Sequence, residues 1–230
     1  MKTAHNTVFI SGGSAGIGLA IAKKFSSQGN KVIINGRNKE RLEQALQELD
    51  NAVAIAGDLS VEADRLRIAQ ELAANHPDLN ILVNNAGAAF VYTLGENAGA
   101  HDKALQEIST NYLAPIHFTE LLLPQLLQQE QAAIVNITSI AALQPAKVLP
   151  TYAASKAALH SYTTALRLAY AEHSPLEVYE VYPPLVNTEF SKAIGGENGI
   201  APAEVADELF EALALSKYEV PVGVTKELFK

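Results

Sequence analysis

Tyr152 and Lys156 carry the clearest chemical potential in this sequence: a phenol and an ammonium four positions apart in Tyr152-Ala153-Ala154-Ser155-Lys156. On a helix that spacing places both side chains on one face, one turn apart. A cation beside a phenol favours the phenolate, so the pairing predicts a Tyr152 pKa below its ordinary value of about 10. A pair tuned in this way can pass a proton near neutral pH. The same spacing also occurs on solvated surface helices, so the rest of the chain has to decide between the two.

A second group of residues has the types needed to hold a nucleotide. Ser11-Gly12-Gly13-Ser14-Ala15-Gly16-Ile17-Gly18 follows a short apolar run and opens a helical pattern. Glycines at such a place permit a tight turn and let a pyrophosphate approach backbone N–H groups at the positive end of a helix. The spacing of Gly12, Gly16 and Gly18 predicts a dinucleotide site rather than an ordinary turn. Further on, Asn35-Gly36-Arg37-Asn38 lacks the acid that commonly binds the ribose 2′-OH of NAD. Arg37 stands there instead, suited to a 2′-phosphate by its planar charge, so NADP(H) is expected to be preferred over NAD(H). The bland alternative is a solvated surface arginine. In Gly57-Asp58-Leu59-Ser60, Asp58 can accept a hydrogen bond from an adenine amino group. Asp58 or Ser60 can equally be the N-cap of the following helix. In Asn84-Asn85-Ala86-Gly87 the asparagines can pin neighbouring strands while the small residues leave room for a cofactor.

The elements that must position these residues alternate between strand and helix. Apolar runs at Val8–Ser11, Lys31–Asn35, Val53–Ala56, Ile81–Val83, Ala133–Ile137, Leu176–Tyr182 and Tyr218–Val224 read as strands. Helical spacing covers Ile17–Phe25, Lys39–Leu49, Ala63–Ala74, a long region through Asp102–Leu127, Tyr152–Glu172 and Ala203–Leu215. Short buried strands alternating with helices imply an α/β Rossmann fold, a doubly wound seven-stranded parallel sheet with helices on both faces. In such sheets ligands bind outside the carboxyl ends of the strands, where the groups above fall.

Bulk properties narrow the class. The 230 residues suit a single domain over 1–230, and a hydrophobic fraction of 48% is ample for a core. The net charge of -8 argues against a nucleic-acid partner. The absence of cysteine removes thiol chemistry and cysteine-ligated metal. The six histidines, His5, His76, His101, His117, His160 and His173, show no paired ligand spacing, so no metal site is expected. The acidic residues are read as solubilising helix faces. No segment approaches the roughly 18 apolar residues of a membrane span, and a cytoplasmic protein is the default expectation.

Together these motifs resemble the classical short-chain dehydrogenase/reductase family along nearly the whole chain: Gly12-x-x-x-Gly16-x-Gly18, Asn84-Asn85-Ala86-Gly87, Asn111, Ser139 thirteen residues before Tyr152, and Tyr152-x-x-x-Lys156. The resemblance implies that Tyr152 is the general acid/base on a substrate hydroxyl or carbonyl. It implies that Lys156 lowers the tyrosine's pKa and binds the nicotinamide ribose, and that Ser139 hydrogen-bonds the substrate oxygen. Asn111 would hold a water in the proton relay. Pro115, four residues beyond Asn111, has no N–H to give the Asn111 carbonyl, leaving that carbonyl free for such a water. The implied cofactor contacts run through Gly12, Ser14, Gly16, Ile17, Gly18, Arg37, Asn38, Asp58, Leu59, Asn85, Ala86, Gly87, Tyr152, Lys156, Pro183, Val186 and Thr188.

One departure stands out. In Pro183-Pro184-Leu185-Val186-Asn187-Thr188, Pro184 replaces the family's usual glycine and stiffens the floor of the site. The Pro-Pro form resembles a bacterial subgroup associated with D-alanylation of teichoic acids. A substrate-covering lid is expected at about 188–201, with Gly195, Gly196 and Gly199 giving it freedom. The expected activity is NADP(H)-dependent interconversion of a carbonyl and an alcohol on a small molecule, by a homodimer or homotetramer. The rivals are a reductase of a carrier-linked or cell-envelope substrate and a non-catalytic NADP-binding sensor, which would have no need of Ser139, Tyr152 and Lys156.

Overall fold

The protein is described by a computed structural model covering residues 1–172 and 174–230; His173 lies outside the described residues. Among those residues seven strands form one sheet: β1 Thr7–Ser11, β2 Lys31–Gly36, β3 Ala52–Ala56, β4 Leu79–Asn84, β5 Ala132–Ile137, β6 Leu176–Tyr182 and β7 Glu219–Pro221. Their order is β3-β2-β1-β4-β5-β6-β7 and every pairing is parallel. The helices are α1 Gly16–Ser27, α2 Lys39–Leu46, α3 Glu62–Asn75, α4 Ala100–Ile108, α5 Ala114–Leu126, α6 Pro150–Ala169 and α7 Pro202–Leu215. No helix among the described residues is long and apolar enough to cross a membrane.

The central strands β1, β4 and β5 are covered on both faces, so nearly all their residues are buried and most are apolar. β1 shows the alternation. Val8 and Ile10 point into a core shared with Ile21 and Phe25 of α1 and Leu209 of α7. Phe9 points the other way, to Ile68 of α3 and to Phe118 and Leu122 of α5. Two apolar layers thus sandwich one sheet. The strand order reverses between β1 and β4, the place where open α/β sheets leave a crevice.

Three expectations about elements are corrected. The long helical region does not run unbroken: Ser109–Leu113 forms a π-helical turn in which the Ala114 N–H reaches the Ser109 carbonyl, before α5 begins with Pro115 in its first turn. Proline cannot supply the ordinary i+4 bond, and the wider turn absorbs the misfit. The final strand stops at Pro221, because Pro221 and the left-handed Gly223 (φ +54°) turn the chain into a 3-10 segment, Gly223–Phe229. Neither Asp58 nor Ser60 caps α3, which starts at Glu62 after Val61. The Asp58 carboxylate is spent on the Ser60 N–H (2.9 Å) and hydroxyl (2.7 Å), while Asp64 reaches back to the Asp58 N–H at 2.8 Å.

Candidate active site

The strand ends at the sheet reversal open into a cleft of about 990 Å³. Its nucleotide side is shaped by backbone. Gly12 sits at φ +64°, and a Cβ on Gly18 would lie 2.2 Å from the Gly12 carbonyl oxygen, so only glycine lets α1 start against the loop. The α1 cap residue, Ala15, offers no side-chain bond and the first turn carries no acid. The leading N–H groups are therefore open to an anion. Ser11 locks β1 to β4: its hydroxyl donates to the Val83 carbonyl (3.2 Å) and accepts from the N–H groups of Asn85 (2.9 Å) and Ala86 (3.0 Å). Asn85 donates back to the Ser11 carbonyl at 2.9 Å. These bonds set Asn85, Ala86 and Gly87 as a flat floor beside Ser14, Gly16 and Ile17.

At the far end Arg37 has a largely free side chain, 80% exposed, with its guanidinium 3.7 Å from the Asp58 carboxylate. Asn38 accepts the Arg41 N–H at 2.9 Å and so caps α2, and Leu59 gives the wall an apolar face. Arg41, which the sequence motifs did not single out, also lines the cleft. Its guanidinium meets both oxygens of Glu189, at 3.2 and 3.1 Å, bridging α2 to the 188–201 segment. The glycine cradle and the open helix end fit a dinucleotide.

α6 brings in Tyr152 and Lys156. Pro150 starts the helix, with its missing N–H harmless in the first turn, so Tyr152 and Lys156 emerge one turn apart, as their spacing predicts. Both are buried, at 9% and 4% exposure. Ser139 follows β5 in extended backbone; its hydroxyl accepts the Ala141 N–H at 3.1 Å, so it caps a short turn as well as facing Tyr152. The expected fall in the tyrosine's pKa is not what this structure shows. Burial pushes the Tyr152 phenol up to about 12, with Ser139 pulling down and Glu107 pushing further up. The phenol loses its solvation on burial, and the lysine is engaged elsewhere. Its ammonium donates to the Ile137 carbonyl at 2.8 Å and stands 5.8 Å from the centroid of the Tyr152 ring. Lys156 is itself pulled down to about 8 by burial, against an upward pull from Glu180.

Asn111 is fully buried in the π-helical turn, behind Gly87. Its side chain is saturated: the carbonyl oxygen accepts the Ala88 N–H (2.8 Å), and the amide nitrogen donates to the Ala88 carbonyl (2.8 Å) and the Ser155 hydroxyl (2.9 Å). The side chain therefore ties the floor to α6, and any relay at this residue belongs to its main-chain carbonyl. Pro115 lines the cleft next to it.

Beyond β6, Pro183, Pro184, Val186 and Thr188 all border the cleft. The Pro183 carbonyl accepts the Ile140 N–H at 2.9 Å, joining this floor to the Ser139 turn. The 188–201 segment is closed at its base by a bridge between Val186 and Ile200. Gly196 and Gly199 there are packing positions, since added Cβ atoms would lie 2.2 Å from the Ser191 hydroxyl and 2.6 Å from the Leu185 carbonyl. Phe190 stands over Tyr152 with ring centroids 6.2 Å apart. Among the described residues no group of acids and histidines is disposed to hold a metal. The acidic residues are not all solubilising, for Glu107 and Glu180 are fully buried. Motif reading missed Ser11, Arg41, Phe190's position over Tyr152 and these two acids. The serine preceding the glycine loop and an acid inside the apolar run Leu176–Tyr182 were the available signals.

Comparison with known proteins agrees with this geometry. A family model described as short chain dehydrogenase matches residues 6–199. An uncharacterised oxidoreductase of Bacillus subtilis, DltE, is 38% identical over 208 residues, covering 90% of this chain and 82% of that protein. A Burkholderia phymatum short-chain dehydrogenase/reductase solved with NAD shares the fold, with a TM-score of 0.90 at 21% identity over 96% of this chain and 90% of that one. A Burkholderia cenocepacia short-chain dehydrogenase solved with NADP superposes with a TM-score of 0.88 at 26% identity, covering 99% and 92%. The chain belongs to the classical short-chain dehydrogenase/reductase family of oxidoreductases.

Proposed function

We propose that the protein is an NADP(H)-dependent oxidoreductase that interconverts a carbonyl and an alcohol on a small molecule. The observation that carries this is the convergence of Ser139, Tyr152 and Lys156 at the floor of the cleft that also holds the glycine loop. A bound nicotinamide nucleotide supplies the hydride. Tyr152 gives the proton to the substrate oxygen in reduction and takes it back in oxidation. Ser139 donates a hydrogen bond to that oxygen as charge develops on it. Lys156 borders both partners, since a Cβ on Gly87 would stand 3.9 Å from its ammonium nitrogen. It holds the nucleotide's ribose, and the Asn111 carbonyl carries the relay onward. Arg37, 80% exposed and with only the Asp58 carboxylate at 3.7 Å, supports the preference for NADP(H), as does the NADP-bound relative.

The substrate side of the cleft supports a neutral, largely apolar substrate. Phe90, Val91, Ile140, Leu149, Phe190 and Ile194 line it, and Gln144 offers one amide. Of the charged lining residues, Arg37, Arg41 and Asp58 stand at the nucleotide end, Glu189 is paired with Arg41, and Lys156 is bonded to the Ile137 carbonyl. Exposed Leu105, Leu113 and Leu168 on α4, the π-helical turn and α6 support self-association as a dimer or tetramer.

The test is turnover of a panel of neutral and charged carbonyl compounds with NADPH and NADH side by side. Oxidation of NADPH at least ~10-fold faster than NADH, on neutral apolar carbonyls, is expected. A clear NADH preference would overturn the cofactor assignment. A panel that stays blank while the nucleotide binds would favour a sensor.

A further inference from the structure

Glu180 is a fully buried acid to which the steps above give no task. It lies in β6, paired in register with Asn136 of β5 and Glu219 of β7. Asn136 turns toward α6 and donates to the Thr163 hydroxyl at 2.9 Å, so Glu180, at the same register, faces the same helix. There the His160 Nδ1 lies 3.0 and 3.1 Å from its two carboxylate oxygens. His160 follows Lys156 by four residues, so imidazole and ammonium stand one turn apart on that face. The ammonium is bonded to the carbonyl of Ile137, whose register partner is Val181, next to Glu180.

We propose that Glu180, anchored by His160, is the counter-charge that keeps Lys156 an ammonium in its buried position, a positioning role exerted through the lysine.

Burial alone drives a lysine toward its neutral form, and a carboxylate nearby opposes it. The lysine's neighbourhood contains that opposition: Glu180 is the group raising its proton affinity against burial. Burial likewise pushes the Glu180 carboxyl up, while His160 and the hydroxyls of Tyr182 and Thr138 draw it down toward the ionised form. The other facing groups are accounted for. From α6, Arg167 places Nη2 3.9 Å from Glu180, and from β7, Glu219 takes its Nη1 at 3.6 Å, drawing part of that charge away. From β6 itself, the Tyr182 hydroxyl lies 3.3 Å from the His160 Nδ1. The His160 side chain is 32% exposed, which gives the buried cluster contact with solvent.

The consequence for catalysis rests on the proposed oxidoreductase reading; the placement does not. The test therefore uses no substrate. The intact protein is labelled with 13C at the lysine Cε, the Lys156 resonance is assigned by its loss in Lys156→Met, and its titration is followed by NMR. Glu180→Gln keeps the shape and an acceptor for His160 while removing the charge; it is expected to lower the Lys156 midpoint by about one pH unit or more. Arg167→Gln, which removes a competing cation, is expected to raise it by a few tenths of a unit. An unchanged midpoint in Glu180→Gln overturns the proposal. Should that variant fail to fold, a midpoint that stays or falls in Arg167→Gln overturns it instead. A merely structural Glu180 would change the melting temperature and leave the midpoint in place. A blank carbonyl panel with the expected midpoints would sink the oxidoreductase reading alone.

Discussion

The two halves of the cleft are built by different means. On the nucleotide side the surface is main chain: a glycine loop with φ +64° at Gly12, an uncapped helix start and a floor fixed by the Ser11 and Asn85 bonds. On the substrate side the surface is side chain, with Phe90, Leu149, Phe190 and Ile194 among its walls. Main-chain geometry tolerates almost no substitution, because a Cβ in the wrong place collides with backbone that cannot move aside. Side-chain walls can be repacked at modest cost. The first half can therefore stay fixed for one ligand while the second is recut for many, which is why the fold reveals the cofactor class and leaves the substrate to local side chains.

The seam between the halves is where the largest effect is expected. Tyr152→Phe removes one hydroxyl at the junction of the two halves of the cleft. It should cut turnover by on the order of 10³-fold or more while leaving the nucleotide dissociation constant within about threefold. Fluorescence titration with NADPH beside steady-state rates measures both. Comparable losses in binding and rate would place Tyr152 in the nucleotide half instead. Next comes the main-chain half itself. Gly18→Ala forces a Cβ to 2.2 Å from the Gly12 carbonyl oxygen, so the loop must shift. Nucleotide affinity should fall by roughly 10- to 100-fold, with a loss of about 1–3 kcal/mol in stability from overpacking. A variant that binds NADPH normally would break the claim that backbone shape defines this half.

The pH dependence sharpens the comparison at the seam. Lys156 is an ammonium below about 8, so carbonyl reduction should be steady below that pH and fall up to tenfold per unit above it. Stability runs the other way. The lysine's folded pKa lies below its ordinary 10.5, so the unfolded chain binds the extra proton between about 8 and 10.5. This residue's contribution to stability therefore rises with pH through that window. Rate profiles and denaturant midpoints, compared with Lys156→Met, would show opposite slopes; parallel slopes would contradict the burial of the ammonium.

What the sequence made legible follows the same division. Gly12, Gly16 and Gly18 announce themselves because only glycine fits their backbone, and Tyr152 and Lys156 because helix geometry converts a spacing into a shared face. The strands were readable as apolar runs, since the buried part of the sheet leaves few polar positions, and those, such as Asn136 and Glu180, are hydrogen-bonded. The missing pieces depend on contacts between residues distant in the chain. The Tyr152 pKa follows from how packing buries the phenol, and the lysine's ammonium is held by Ile137, nineteen positions away. The Arg41–Glu189 pair joins α2 to a loop 148 residues later. The π-helical turn was half visible: Pro115 signalled a missing N–H for the Asn111 carbonyl, but the wider turn, in which the Ala114 N–H reaches the Ser109 carbonyl, required the packed helix.

The smallest predicted effect tests the side-chain half. Phe190 is 54% exposed, yet its ring stands 6.2 Å from that of Tyr152. Its exposed face contributes little to stability, so Phe190→Ala should fold normally. What it removes is one apolar wall over the phenol, which orders substrate and keeps water from the proton donor. We expect the KM for apolar carbonyls to rise roughly three- to tenfold, with kcat changed less than about threefold and NADPH affinity unaltered. Phe190→Leu, which restores an apolar wall without the ring, should recover most of the loss. If kcat falls instead and KM holds, the residue acts on the orientation of Tyr152, and the wall belongs to the catalytic seam. If NADPH affinity falls as well, the segment from Glu189 to Ile194 serves the nucleotide through the Arg41–Glu189 bridge, and the division between the two halves would have to be redrawn along that ion pair.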